Sequence, residues 1–249
     1  MPGWVVAALL GTVFLGLLLV ERRRPLRRRT APAGQRLVGN VATGAVAALA
    51  VALPNLLVTR PATALVERRQ WGVLPRLGLP PAAERGAALV LMDYTLYLWH
   101  ILLHRMPFLW RWHRVHHADP DLDVSTALRF HAAELAWSVP WRAAQVLLIG
   151  VPRRTLALWG SLTLAEVMFH HANLRLPRAL ERVLGWFVVT PRAHGVHHDS
   201  VAAHQHGNFS SGLAAWDHLH GTRAADIPQE AIVIGLPAPD GQRTGSPNP

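Results

Sequence analysis

The segment that decides the fold is GWVVAALLGTVFLGLLLV, residues 3–20, followed at once by ERRRPLRRR, residues 21–29. Its 18 uncharged residues approach the ~20 that a helix needs to cross the hydrocarbon core of a bilayer. The basic residues follow the apolar run instead of preceding it, and no A-x-A site comes next, so the segment reads as a membrane anchor and not as a cleaved signal peptide. A second apolar run extends from Leu37 to Val58, interrupted only by Asn40, Pro54 and Asn55. Between the two runs crowd seven arginines: Arg22, Arg23, Arg24, Arg27, Arg28, Arg29 and Arg36. Such a loop is what the positive-inside rule assigns to the cytoplasm.

The net charge of +10 over 249 residues does not point to nucleic acid. Every basic residue is Arg and none is Lys, which together with abundant Ala, Leu, Gly, Pro and Val reads as a compositional bias of the source genome. Membrane topology accounts for the charge, and no nucleic-acid partner is expected. The chain has no cysteine, which excludes disulfides, thiolate zinc sites, iron–sulfur clusters and cysteine nucleophiles.

Three further apolar stretches follow: about Gly86 to Leu103, Ala132 to Val151, and Thr155 to Phe169. Only Val151 to Arg154 separates the last two, which predicts a helical hairpin. Glu134 and Arg142 argue against a simple lipid-facing span for the first of these, since charges at membrane depth face protein or water; a re-entrant hairpin is the alternative. With the Arg-rich loop in the cytoplasm, the stretch from Gly86 returns inward and the hairpin goes in and comes back. The expected fold is therefore all-α, an integral membrane bundle of about four transmembrane helices, in the inner membrane of a bacterium, with a cytoplasmic histidine-rich catalytic cap. Residues 1–85 form membrane anchor helices and an interfacial loop from Thr59 to Arg85, residues 86–223 the catalytic domain, and residues 224–249 an extended or disordered tail.

Fifteen histidines punctuate this frame. His100 and His104 form one run, His113, His116 and His117 a second, and His194, His197 and His198 a third; His170 and His171 close an apolar stretch. Residues three and four apart share a helix face, so each run aims its imidazoles one way. Neutral imidazole is the commonest protein metal ligand, and these are too many for one ion. A pair of metals is the natural reading. Asp93 and Tyr97 lie on the same helix face as His100 and His104, where a carboxylate suits the fixing of an imidazole's tautomer and orientation. The isolated His131, His204, His206, His218 and His220 read as surface, core or supporting residues. Trp110 and Trp112 read as members of a membrane-interface belt, and Asp217 as a helix cap or an Asp–His contact.

Four stretches carry a resemblance. They are DYTLYLWHILLHRMPFLWRWHRVHHADPDLDVSTALRFHAAE (residues 93–134), FHHANLRLP (169–177), VTPRAHGVHHD (189–199) and NFSSGLAAWDHLHGT (208–222). In order, spacing and connecting aromatics the chain resembles the fatty acid hydroxylase/sterol desaturase superfamily, specifically its bacterial members. The resemblance implies a non-haem centre of two iron ions that uses O2 and external electrons to hydroxylate or desaturate a C–H bond of a lipid. It implies as ligands His100, His104, His113, His116, His117, His171, His194, His197 and His198, with His170 ranked below His171, and His131 in a supporting place beside Asp93 and Asp217. The chain departs from the usual pattern at Phe209 and Ser210, where the superfamily carries Tyr and Gly, and at His220, where it carries Phe.

Spacing alone leaves the metal open, because zinc, copper and nickel also accept imidazole. There is no HExxH to supply a zincin's general base and no Glu-x-x-His pair of the soluble diiron bundles. Without a haem or flavin domain, electrons are expected from a separate donor: a ferredoxin, a cytochrome or a flavin reductase. The rival reading is a non-redox metal-binding membrane protein, a zinc-dependent hydrolase or a metal transporter. A transporter would line a mid-membrane path with ionisable groups, whereas these histidines gather at segment ends. Substrates within reach of the resemblance are sterol-like, fatty acyl, carotenoid and ether lipids.

Overall fold

The computed structural model of the protein describes residues 2–224 and 226–236. Among these the chain is all-helical, with isolated β-bridges and no strand. The apolar runs become α1 (Gly3–Arg23), α2 (Ala33–Pro54), α3 (Arg60–Arg69) and α4 (Pro81–Arg105). Three helical stretches are long and apolar enough to cross a membrane: Gly3–Arg23, Ala33–Leu77 and Pro81–Arg105. The second outlasts the apolar run that predicted it. Pro54 cannot donate to the helix ladder, and a π turn over Asn55–Thr59 absorbs the irregularity before α3 continues the same path. The region from Thr59 onward therefore starts as helix and becomes a loop only after Gln70, whose left-handed φ of 50° ends α3.

A short connection then leads into α5 (Pro107–His117), and the predicted hairpin forms from α6 (Ala132–Ile149) and α7 (Arg153–His171). At 18 and 19 residues these helices reach about 27–29 Å at 1.5 Å per residue. Their connecting turn lies at the end of the bundle far from the histidines. There Gly150, at φ 89°, packs on the backbone of Gly72, at φ 111°, and Val73 N donates to Leu148 O at 3.0 Å. A side chain on either glycine would collide with the other's segment. The hairpin thus consists of two full helices that pack against α3 and α4. Beside it a core of Ala62, Val66, Met92, Ala143 and Val146 joins α3, α4 and α6.

The opposite end is polar and tightly bonded. Glu21, fully buried at the foot of α1, accepts from Val124 N at 3.0 Å and Asn173 N at 2.9 Å. Arg175 N donates to Arg24 O at 2.8 Å, and Leu26 N to Asn173 O at 2.9 Å. Arg36, near the start of α2, grips Asp119 with two bonds of 2.7 and 2.8 Å and also donates to Asp123. Asn40 Nδ2 donates to Asp119 at 2.9 Å. Asp123 in turn caps a 3-10 turn at Val124–Leu128 with a capping box through Thr126. The Arg-rich segment and the chain just after His171 therefore share one end of the molecule.

Beyond α7 come three short helices: α8 (Arg178–Leu184), α9 (Pro191–His197) and α10 (Ala215–Leu219). Helix α9 starts with Thr190 accepting from Ala193 N and Pro191 in its first turn, a favoured pairing at helix starts. Of the tail expected to be extended or disordered, residues 226–236 are held against the fold. Gln229–Ala231 forms a 3-10 turn, Ser200 N donates to Val233 O at 2.7 Å, and Asp199 bridges Ile234. Backbone pairing to the segment after α9 supplies what an apolar periodicity does not. The remainder of that expectation, residue 225 and residues 237–249, lies outside the described residues.

Candidate metal centre

The turn between α4 and α5 folds the first two histidine runs onto each other, and α9 lies across both. Two buried groups result: His100, His104, His113, His117 and His197, and His116, His171, His194 and His198. Within each group the nitrogens that could bind a metal lie within 4.8 Å of one another. The nine residues are those the resemblance implies. The stacked rings of His117 and His198, with centroids 4.2 Å apart, join the two groups. His170 belongs to neither; its ring packs on His194 at 4.1 Å.

Partners outside the cluster fix which nitrogen faces inward. Nδ1 donates to Phe209 O from His100 at 2.7 Å, to Arg129 O from His116 at 3.1 Å, to Val167 O from His171 at 2.7 Å and to Gly207 O from His197 at 2.8 Å. His113 Nδ1 donates to Glu134 Oε1 at 2.8 Å. A carbonyl can only accept, so Nδ1 carries the proton and Nε2 is left with a bare lone pair, as in metal-binding histidines generally. In the first group the buried Nε2 atoms of His104, His113, His117 and His197 have no hydrogen-bond partner.

In the second group the bare atoms meet. His116 Nε2 lies 3.0 Å from His171 Nε2, which lies 3.1 Å from His194 Nε2. For His116 and His171 both protons are committed to carbonyls, so two lone pairs face each other and repel unless a cation lies against them. A proton is a poor candidate. Burial first, and the neighbouring imidazoles second, push the His116 pKa well below its ordinary value. The same two causes act on His117, His194, His197 and His198. Two ligands ~2.1 Å from one metal at right angles would themselves sit about 3.0 Å apart. The donor set fits a metal.

The supporting residues are placed differently from expectation. Asp93 touches no imidazole; its carboxylate accepts from Leu213 N at 3.0 Å and Trp216 Nε1 at 2.7 Å. Sharing a helix face with His100 does not bring it to the ring, because the chain before α10 intervenes. Asp217 makes no contact with a histidine either. It accepts from Phe209 N and Ser210 N, each at 2.9 Å, and so holds the Phe209 carbonyl that receives His100. His131 caps α6 by accepting from Ala133 N at 3.0 Å and stacks on Trp112 at 4.7 Å. Trp110 lies 5.0 Å from the His104 ring and 5.5 Å from that of His117. Trp110 thus walls the first group, whereas Trp112 packs on His131. Phe209 is fully buried, edge-on to His104 at 5.3 Å, and His220 stacks on Tyr94 and Tyr97. His206 stays outside both groups.

In the sequence Glu134 stands out only as a costly charge; its place in the first turn of α6, whose start lies beside the second histidine run, is what brings it to His113. Glu134→Ala should lower metal affinity on the order of 10–100-fold, the usual cost of losing an outer partner. Titration with a chelator checks this, and Glu134→Gln, which keeps an acceptor, should recover part of the loss.

A cavity of about 270 Å³ leads away from the histidines between α4, α6 and α7. His100, His113, His116 and His171 form one end of it, and Leu96, Trp99, Leu164 and Val167 line its flanks. Gly160, an exposed residue of α7, lies on the same cavity, so the space reaches the lateral surface of the bundle.

The fatty acid hydroxylase family profile matches residues 86–222. An ornithine lipid hydroxylase of Rhizobium tropici is 30% identical over 143 residues, covering 57% of this chain and 42% of the relative. The human alkylglycerol monooxygenase is 28% identical over 149 residues, covering 59% of this chain and 32% of the relative. The human cholesterol 25-hydroxylase is 27% identical over 144 residues, covering 56% and 51%. The chain thus spans between a third and a half of the length of these relatives. No solved structure matches it significantly. The matched segment contains every histidine of both groups and both helices of the hairpin, and the chain belongs to the fatty acid hydroxylase family.

Proposed function

We propose that the protein is a membrane-bound oxygenase that holds two iron ions and uses O2 to oxidise a C–H bond of a lipid, by hydroxylation in preference to desaturation. The observation that carries the reading is the approach of the His116 and His171 Nε2 lone pairs to 3.0 Å with both protons committed elsewhere. The five histidines of the first group and the four of the second would each hold one ion. Imidazole suits iron, and the relatives named above are hydroxylases and monooxygenases. When bound, the ions supply the reduction of O2 and the removal of hydrogen from an unactivated carbon.

The chain's own residues do the rest. Phe209, Arg129, Val167 and Gly207 fix four imidazoles through backbone carbonyls, and Glu134 fixes a fifth through its carboxylate. Buried Phe209, together with Trp110, closes the first group against water. Leu96, Trp99 and Leu164 line the cavity that receives the alkyl part of the substrate, which enters from the bilayer beside Gly160. With no cysteine the chain has no iron–sulfur ligands of its own, so electrons arrive from a separate ferredoxin, cytochrome or flavin reductase. The histidine end faces the cytoplasm. That orientation rests on Arg27, whose Nη1 donates to Pro191 O at the start of α9, and on Arg24, whose backbone carbonyl accepts from Arg175 N. These contacts hold the histidine groups beside the Arg-rich loop that the positive-inside rule retains.

Lipid mass spectrometry of cells producing the chain or its His197→Ala variant tests the reading. The expected result is a lipid heavier by one oxygen atom only with the unaltered chain. A lipid profile indistinguishable between the two, with both proteins present in the membrane and an electron donor supplied, would sink it.

A further inference from the structure

The cavity carries a group that the metal centre does not use. Glu134, Ser138 and Arg142 recur every fourth residue along one face of α6, and all three line it. Glu134 is committed to His113. Arg142 is committed to nothing charged: among the described residues no carboxylate pairs with it, and its buried Nη1 has no hydrogen-bond partner. One face of the guanidinium lies over Trp159, 3.9 Å from the ring centroid. That contact satisfies the π face and leaves the planar fork of N–H groups free. Arg36, by contrast, holds two aspartates, and Arg27, although its Nε and Nη2 also lack partners, spends its Nη1 on Gln229 and Pro191 O.

An unpaired cation at this depth is costly, and such groups mark substrate sites or ion paths. The free fork of an arginine matches the two oxygens of a carboxylate or phosphate. The space in front of it is a cavity whose other end is the histidine cluster. We propose that Arg142 is the head-group clamp of this cavity, binding the oxyanion of an acidic amphiphile whose alkyl part extends toward the histidines. The proposal deepens the oxygenase reading and rests on it. It selects an acidic lipid over one with only a neutral hydroxyl. Eight residues of α6 separate Arg142 from Glu134, about 12 Å at 1.5 Å per residue. The oxidised carbon therefore lies several bonds down the tail and not beside the head group.

The test compares laurate, dodecyl phosphate and dodecanol, which share one alkyl tail, by calorimetric titration of the purified full chain in a non-ionic detergent. The expected result is that at least one of the two anions binds about tenfold tighter than dodecanol or better, in line with the cost of stripping a buried charge of its partner. Which anion binds tighter distinguishes a carboxylate lipid from a phosphate lipid. In Arg142→Gln the preference should vanish while dodecanol binding and metal content stay unchanged; Arg142→Lys should keep part of it. Equal affinity for all three probes in the unaltered chain overturns the proposal without any variant, as does an anion preference that survives in Arg142→Gln. Binding is read without turnover, so a lost preference leaves the metal centre standing, and a chain without metal still reports on the clamp.

Discussion

His116→Ala should abolish turnover and lower bound metal by one ion per chain or more, whereas His206→Ala should leave metal content unchanged. Both nitrogens of His116 are committed: its Nδ1 donates to Arg129 O and its Nε2 faces His171 Nε2 at 3.0 Å. Removing it takes one donor from a group of four and leaves His171 without the geometry that brings two lone pairs to a single point. The His206 ring centroid lies 6.4 Å from that of His104, yet His206 belongs to neither group. Metal analysis of both purified variants, with turnover followed by lipid mass spectrometry, separates the two outcomes. Full metal retention in His116→Ala would contradict the assignment of the second group.

Arg36→Ala should destabilise the fold by about 3–5 kcal/mol, the range for removing one partner of a buried ion pair. Arg36 is 8% exposed, and Asp119 and Asp123 are 1% and 4% exposed, so the substitution strands two carboxylates away from water. The damage should travel. The loop that Arg36 holds carries Arg129, whose Nη1 donates to Asn40 Oδ1 at 3.0 Å and whose carbonyl receives His116. A lower midpoint of thermal unfolding accompanied by weaker metal binding is expected. A midpoint within a degree or so of the unaltered chain would show that the network is dispensable. Replacing Asp119 and Asp123 with Asn in the same background should recover part of the loss, since it removes the stranded charges.

That network also shows how far the sequence could be read. Seven arginines between the first two apolar runs look like a topology signal, because retention of positive loops depends on number and not on position. Two of them, Arg27 and Arg36, are instead buried structural partners, 9% and 8% exposed. Nothing in a charge count distinguishes a solvated arginine from one that meets Asp119 across the fold. The histidines behaved otherwise. Their spacing on helices constrains direction locally, and α4, α5, α7 and α9 bring the runs together, but the second and third runs are each divided between the two groups. Which histidine joins which group was not legible: neighbouring His116 and His117 point to different groups, as do His197 and His198, because adjacent helical residues diverge by about 100°.

The supporting shell was the least legible part. Asp93 and Asp217 attract attention as acids near histidines, yet both act on backbone N–H groups of the segment between Phe209 and Trp216. Four of the five outer partners are carbonyl oxygens, which every residue possesses and no side-chain pattern reveals. Only Glu134 carried a signal, a carboxylate in the first turn of a largely apolar helix. The α6–α7 hairpin followed from Pro152 and the brevity of the connection, while its full length depended on the approach of Gly72 to Gly150, a contact between segments far apart in the chain.

Metal content of the chain, purified from cells supplied with iron and without chelators, tests the dinuclear centre most directly. Two iron ions per chain is the predicted result; one ion, or none, in protein that is folded and unaltered would contradict it.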